Sequence, residues 1–226
     1  MDEFDYTGPM SRTIVKISLL LRNNGSHILL NSINLRLVVN ELLLNIIQSV
    51  EYLTLENLVL RDDGLYRHSP LTDAAWGRGN AFPALGMALT LSDIPEDQAG
   101  FAELLSIYQS HIKALVPYQD LDGMWHEVID YPGSYAELSA TAMIATAIKR
   151  GVSRGWLDED YLHVVDKAWR AVLMRSSSQG YFVNVCESTN KQETLEDYLN
   201  REALTGPDER AGGMLMMFAT EMAELR

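Results

Sequence analysis

The sequence is poor in cysteine and in positive charge, and both shortages narrow what the protein can be. Its single cysteine, Cys186, cannot form a disulfide within the chain, and no neighbouring base marks it as a nucleophile. Lysine and arginine total 18 against 31 aspartates and glutamates, which gives a net charge of −13. Nucleic acids and anionic membranes attract basic surfaces, so this acidic chain is not expected to bind either of them.

Long hydrophobic runs and several common motifs are also missing. The most apolar stretch, residues 28–44, is interrupted by polar side chains, so no transmembrane span is expected. The acidic start, MDEFDYTGPM, is unlike a secretory signal, and we expect a cytoplasmic protein. The histidines lack zinc-ligand spacing, and neither a P-loop nor a G-x-S-x-G elbow occurs. We therefore expect no metal and no cofactor.

What the sequence does have is helical periodicity. Apolar residues recur at helical spacing over residues 101–116 and 161–172, and residues 76–91, 134–150 and 211–225 fit closely packed helices. These segments predict an all-α protein.

Several local signals refine this prediction. The run Met214–Phe218 is nearly all apolar and predicts a deeply buried helix. Strand signal is confined to residues 181–185, which fit one short hairpin arm. Ser134, three residues before Glu137, predicts a capping box, and Asp158 predicts an N-cap.

Three long polar loops, at about residues 61–75, 119–133 and 176–208, separate pairs of helices that are joined by short turns. This alternation is typical of stacked helical hairpins, and it places all three loops at one end of the molecule, called here the long-loop end. Rigid helices often hold functional loops in place, so we expect the functional residues at this end.

The motif D-x-x-W-G-R-G begins at Asp73 and includes Trp76 and Arg78. Asp73 fits either a helix N-cap or a catalytic carboxylate, and the local sequence alone favours the cap. Arg78 falls in the first turns of the predicted helix, where a cation is unfavourable. This position predicts a partner for Arg78, either a carboxylate of the protein or an anionic ligand.

The pair Trp125-His126 follows a glycine turn at Asp122-Gly123. Such a pair is equally typical of a packed corner and of a sugar site. In a sugar site the indole stacks on the sugar ring and the imidazole binds a hydroxyl or carboxylate. His68 is a similar but weaker candidate.

Five motifs resemble, in order and spacing, those of the unsaturated glycuronyl hydrolases of glycoside hydrolase families 105 and 88. The resemblance runs from about residue 60 to the C-terminus, and Asp2 and Pro9 repeat the spacing of an earlier family block. The motifs are D-x-x-W-x-R-G from Asp73, D-G-x-W-H from Asp122, S-Y-x-E-x-S-A-T-A-M from Ser134, R-G-x-x-x-G-x-L from Arg150, and a final G-x-x-x-x-x-x-T-E from Gly213.

The resemblance implies an (α/α)6 barrel, in a single catalytic domain over residues 1–226. It also implies removal of a 4-deoxy-hex-4-enuronic acid residue from lyase-generated oligosaccharides, with unsaturated galacturonyl-rhamnose from pectin as the leading substrate. The reaction hydrates a vinyl ether: an acid protonates C4, water adds at C5, and the hemiketal collapses. It requires a carboxyl group that exchanges a proton near neutral pH.

The same resemblance assigns roles to individual residues. It implies that Asp73 is the proton donor and base and that Asp2 is the second essential aspartate. It places five residues on or beside substrate-binding positions: His68, Trp76, Arg78, Trp125 and His126. A cation is needed near the uronate carboxylate in so acidic a protein, and Arg78 or His126 supplies one.

The chain departs from the family in its helix count. An (α/α)6 barrel needs twelve helices and we count about seven, two of them in residues 11–60. The barrel is therefore expected to be truncated at its N-terminus and to form homo-oligomers through exposed apolar helices. Two other functions stay open: an inactive or sugar-binding fragment, and a different (α/α)6 glycosidase.

Overall fold

Helices dominate the computed structural model, which describes residues 60–223. The helices in this part of the chain are α1 (Gly77–Asp93), α2 (Phe101–Leu115), α3 (Leu138–Ser153), α4 (Leu162–Met174), α5 (Leu195–Leu199) and α6 (Glu209–Ala223). Short 3-10 turns, Val116–Tyr118 and Glu159–Tyr161, follow α2 and precede α4. The two helices predicted within residues 11–60 lie outside the described residues.

Two small antiparallel sheets accompany the helices, so the all-α prediction is confirmed only as a mostly helical fold. The strands are β1 (Trp125–His126) paired with β2 (Ala136–Glu137), and β3 (Tyr181–Cys186) paired with β4 (Ala203–Pro207). The strand predicted at residues 181–185 is therefore confirmed. An irregularity between Val183 and Val185 bends β3, and Asn184 adopts a positive φ of 61° there.

Helix α3 forms the centre of the packing and contacts α1, α4 and α6. Most of its residues are buried, and several of them are alanines, which let the neighbouring helices approach closely. Gly151 belongs to this packing, because a β-carbon at that position would collide with the hydroxyl group of Tyr108. Tyr108 is fully buried, and its hydroxyl donates to the carbonyl oxygen of Ala147 at 2.7 Å.

We expect Gly151→Ala to lower the free energy of unfolding by about 1–3 kcal/mol, because it overpacks the contact between α2 and α3. Gly213→Ala is the matched control: Gly213 also lies within a helix, and no described atom lies within 4 Å of its would-be β-carbon. This control should be neutral or stabilising by up to about 1 kcal/mol, because alanine has the higher helix propensity. Urea denaturation of both variants checks the difference, and equal effects would contradict it.

The long loops meet at the start of α1. Trp76 pairs with Val128, the Gly77 amide donates to the Glu127 carbonyl oxygen at 2.6 Å, and the Ile129 amide donates to the Ala75 carbonyl oxygen at 2.9 Å. A β-carbon on Gly77 would lie 2.5 Å from the His126 carbonyl oxygen, so only glycine allows this approach. The first and second long loops therefore lie side by side.

The helix ends and the C-terminal helix correct two predictions and confirm one. Glu137, not Ser134, is the N-cap of α3, and its carboxylate accepts from the amides of Ser139 and Ala140. Asp158 is confirmed as an N-cap, but of the 3-10 turn Glu159–Tyr161 rather than of α4, and its side chain accepts from the Asp160 amide. Burial of the whole apolar run in α6 is wrong, since Phe218 is buried while Met216 is 73% exposed. None of the helices described is both long and apolar enough to cross a bilayer.

Candidate active site

Trp76 is at the centre of a buried cluster at the long-loop end. Its backbone forms the N-cap of α1, and its indole Nε1 donates to the Glu127 carboxylate at 3.0 Å. The imidazole of His68 packs on the indole with ring centroids 4.4 Å apart. His68 Nδ1 in turn lies 2.7 Å from the hydroxyl of Tyr198, which α5 contributes from the third long loop.

Arg78 joins this cluster from the first turn of α1. Its side chain donates to the carbonyl oxygen of Cys186, and its guanidinium carbon lies 5.9 Å from the centroid of the Trp76 ring. Arg78 is only 5% exposed, and its Nε has no hydrogen-bond partner within residues 60–223. Within residues 60–223 Arg78 binds this backbone carbonyl and not the predicted carboxylate. The other predicted partner, an anionic ligand, stays a prediction.

Two buried glutamates, Glu127 and Glu137, contact this cluster, and the sequence did not identify either of them as a site residue. Glu127 Oε1 accepts from Trp76 and also from the Cys186 thiol at 3.3 Å. Glu137 caps α3 and accepts from the Cys186 amide at 2.8 Å. The available signal was the alternation of β1: because Trp125 faces the core, the strand period turns His126 away from the core and returns Glu127 to the protein interior.

Burial changes the acidity of the groups in the cluster. Burial, reinforced by the nearby charge of Glu137, raises the pKa of Glu127 to about 7. Burial and then Glu127 raise the pKa of the Cys186 thiol to about 11, which agrees with the prediction that it is not a nucleophile. Burial, followed by the charge of Lys191, lowers the pKa of His68. The cluster therefore contains the imidazole of His68, for which the uncharged form is favoured, and the carboxyl group of Glu127, which titrates near neutral pH.

Asp73 is not a helix cap. Helix α1 begins at Gly77, and the Asp73 carboxylate is 81% exposed and pairs with Arg67 at 3.1 Å. Its backbone is held more firmly, because Arg61 donates to the Asp73 carbonyl oxygen at 2.8 Å and also binds Asp130 at 2.7 Å. The structure thus leaves the carboxylate of Asp73 open to a ligand.

The prediction that Trp125 stacks on a sugar is wrong. Trp125 is fully buried in the hydrophobic core, and its Nε1 donates to the Leu115 carbonyl oxygen at 2.8 Å. His126, its neighbour on β1, lies 2.6 Å from the Ser134 carbonyl oxygen through Nδ1 and 3.2 Å from the Asp120 carboxylate through Nε2. For Trp125 the packed-corner interpretation is correct, whereas His126 is partly exposed at the same end of the molecule as Arg78.

The structure brings together only some of the predicted site residues. His68, Trp76 and Arg78 form one cluster, and Asp73 lies just before it on the same loop. Asp2 lies outside the described residues. No group of three or more metal-ligating side chains occurs between residues 60 and 223.

The family model of Glycosyl Hydrolase Family 88 matches residues 44–226, which include the whole of this cluster. The chain belongs to Glycosyl Hydrolase Family 88. Among curated relatives of this family 88 chain, the unsaturated rhamnogalacturonyl hydrolase YesR of Bacillus subtilis is 34% identical over 128 residues. The aligned part is 57% of this chain but 36% of YesR, so the chain spans about a third of the length of that relative.

Solved structures agree with this family membership. A Salmonella enterica protein reported as a possible member of glycoside hydrolase family 105 superposes with a TM-score of 0.70 at 26% identity, over 78% of this chain and 49% of its own. A Klebsiella pneumoniae protein reported in the same way gives 0.68 at 30% identity, over 81% and 52%. Proteins of families 88 and 105 have an (α/α)6 barrel, and this family 88 chain covers about half of each of these two structures.

Proposed function

We propose that this family 88 protein removes a 4-deoxy-hex-4-enuronic acid residue from lyase-generated oligosaccharides by hydrating its C4–C5 double bond. Unsaturated galacturonyl-rhamnose is the leading substrate, because YesR is a rhamnogalacturonyl hydrolase. The observation that carries the proposal is the buried Arg78 guanidinium beside the Trp76 ring, on which His68 packs, inside the matched family segment. A cation next to aromatic faces fits a sugar that carries a carboxylate.

The proposed mechanism gives each group one task. Asp73, whose exposed carboxylate precedes Trp76 by three residues, transfers the proton to C4 and recovers one from the attacking water. Asp2 is the second carboxylate proposed for steering water to C5. Arg78 and His126 supply positive charge or hydrogen bonds for the uronate, and Trp76 and His68 contact the sugar ring. Trp125 has no place in this mechanism, because it is a core residue.

The described helices form two hairpins, α1–α2 and α3–α4, that pack through α1 and α3. We propose that these hairpins are part of an (α/α)6 barrel, as in the structural neighbours. The single domain over residues 1–226, the cytoplasmic location and the homo-oligomer stay predictions.

The direct test follows the ultraviolet absorbance of the conjugated enuronate on a panel of lyase-generated disaccharides. Loss of absorbance with release of the second sugar supports the proposal, because hydration destroys the conjugation. Cleavage of these disaccharides without that loss identifies an ordinary glycosidase, and binding without any turnover identifies a sugar-binding protein. The second and third outcomes would both reject the proposed reaction.

We expect Arg78→Lys to raise the KM for unsaturated galacturonyl-rhamnose by about 10–100-fold, equivalent to the loss of one or two charge-assisted hydrogen bonds. Lysine keeps the charge but not the planar fork that binds a carboxylate. Arg154→Lys is the matched control, since Arg154 lies on the surface after α3, at the other end of the helix from the cluster. An unchanged KM in Arg78→Lys would remove Arg78 from the binding site.

A further inference from the structure

Glu127 is hydrogen-bonded to two parts of the proposed sugar-binding cluster, the Trp76 indole and the Cys186 strand end. Its Oε1 accepts from Trp76 Nε1 at 3.0 Å, and His68 packs on that same indole. The same oxygen accepts from the Cys186 thiol at 3.3 Å, and the Cys186 carbonyl oxygen accepts from Arg78. One fully buried carboxyl group therefore determines where the indole lies and helps to hold the strand end that positions the guanidinium.

The two buried glutamates, Glu127 and Glu137, receive very different numbers of hydrogen bonds from the protein. Glu137 accepts from the backbone amides of Ser139, Ala140 and Cys186, so donors surround both of its oxygens. Glu127 has the indole and a weak thiol donor on one oxygen. Its Oε2 has no hydrogen-bond partner at normal distance within residues 60–223, and the nearby Tyr135 hydroxyl lowers the pKa of Glu127 by less than burial raises it. Of the two, Glu137 is the one that the protein equips to carry a negative charge.

The charges around Glu127 lead to the same assignment. The charged and titratable groups that act on Glu127 are Glu137 from β2, Cys186 from β3, Tyr135 beside β2 and Tyr198 from α5. None of these groups is a cation, and Arg78 acts on Cys186 instead. A proton on Glu127 removes the excess negative charge.

We propose that Glu127 is a positioning residue for the anionic sugar: it holds Trp76 and the Cys186 strand end in the binding arrangement, and its ionisation weakens binding of the uronate. This proposal rests on the proposed function for its ligand, but the link between Glu127 and Trp76 does not. An ionised Glu127 places a negative charge under the cluster, where it opposes a second carboxylate near Arg78.

The first test needs no substrate. In the full chain, the indole N–H resonance of Trp76, assigned with Trp76→Phe, should shift with a midpoint near pH 7, following the raised pKa of Glu127. In Glu127→Gln the step near pH 7 should be absent, because the amide does not ionise. A shift at lower pH belongs to His68, which packs on the indole and whose pKa is lowered by burial. A constant resonance in the wild type, or an unchanged titration in Glu127→Gln, would overturn the proposal.

The second test measures the KM for unsaturated galacturonyl-rhamnose. If only the protein with protonated Glu127 binds well, the KM should be about tenfold higher at pH 8 than at pH 6, because about a tenth of the molecules keep that proton. Glu127→Gln should show no such rise, whereas the exposed control Glu103→Gln should keep it. A loss of structure alone would lower activity at every pH and would not abolish the rise of KM between pH 6 and pH 8.

The two tests separate the two proposals. Absence of turnover and of binding, together with a normal Trp76 titration, rejects the proposed function and with it the ligand of this inference, while the positioning of Trp76 by Glu127 stands. If Glu127→Gln does not fold, Trp76→Phe replaces it in the KM measurement. Removing the indole donor should move the midpoint of the KM rise to higher pH, and an unmoved midpoint would contradict the proposal.

Discussion

Replacing Asp73 by asparagine is expected to lower the turnover number by about 10²–10⁴-fold, the contribution typical of a general acid or base. Asparagine has nearly the same shape but neither delivers nor accepts the proton that moves to C4. Folding should be unaffected, because the carboxylate is exposed and its one ion pair, with Arg67, lies at the surface. The absorbance assay and a thermal melt of the same sample measure the two effects.

Asp62→Asn is the control for Asp73→Asn. Asp62 is exposed on the same long loop, so the control removes the same charge from the same region without touching the proposed chemistry. We expect it to keep nearly full turnover. A loss of similar size in both variants would show that loop charge, and not proton transfer, is responsible. Full activity in Asp73→Asn would remove Asp73 from the mechanism.

Glu127→Gln should change how the free energy of unfolding depends on pH. The pKa of Glu127 is raised from 4.5 to about 7 by folding, so the folded state holds a proton that the unfolded state releases. In the wild type this proton stabilises the fold fully below about pH 4.5, and the stabilisation is lost as the pH rises to about 7. Glutamine does not titrate and therefore lacks this dependence.

The expected size of this effect is about 2–3 kcal/mol. The free energy of unfolding of the wild type should fall by this amount between pH 5 and pH 8, whereas that of Glu127→Gln should not show this fall. Urea denaturation at both pH values provides the measurement, and Glu103→Gln, at an exposed site on α2, serves as the control with no expected change. A stability difference between the two proteins that stays constant from pH 5 to pH 8 would mean that Glu127 is ionised in the folded protein throughout this range.

The regular elements were the most predictable part of this protein. Helices α1 to α4 and α6, together with strand β3, lie within a few residues of the segments that periodicity predicted. The Asp158 cap was predictable too, because an N-cap depends on a side chain and the two or three amides that follow it. The α3 cap was not, because Ser134 turns towards Val128 and Tyr131 while Glu137 itself fills the cap position.

The candidate site was only partly predictable. Trp76 and Arg78 were identified from one motif and His68 from the loop before it. The three lie together because that loop leads directly into the first turn of α1. Trp125 was assigned wrongly, because a tryptophan beside a histidine has the same sequence whether its ring faces solvent or the core. Glu127 was missed, because nothing local to it signals that residues 59 positions away, such as Cys186, complete its surroundings.

By itself the sequence determined the succession of helices, the glycine-bearing loops between them and the motifs that resemble families 88 and 105. Those features depend on neighbours a few residues apart, and the same short-range preferences act in any fold. Only the tertiary structure decided which side chains are buried together: Trp125 in the core, Asp73 in solvent, and Glu127 beneath Trp76. Burial and the resulting pKa of Glu127 arise where three separate loops meet, and that meeting depends on packing between elements far apart in the chain.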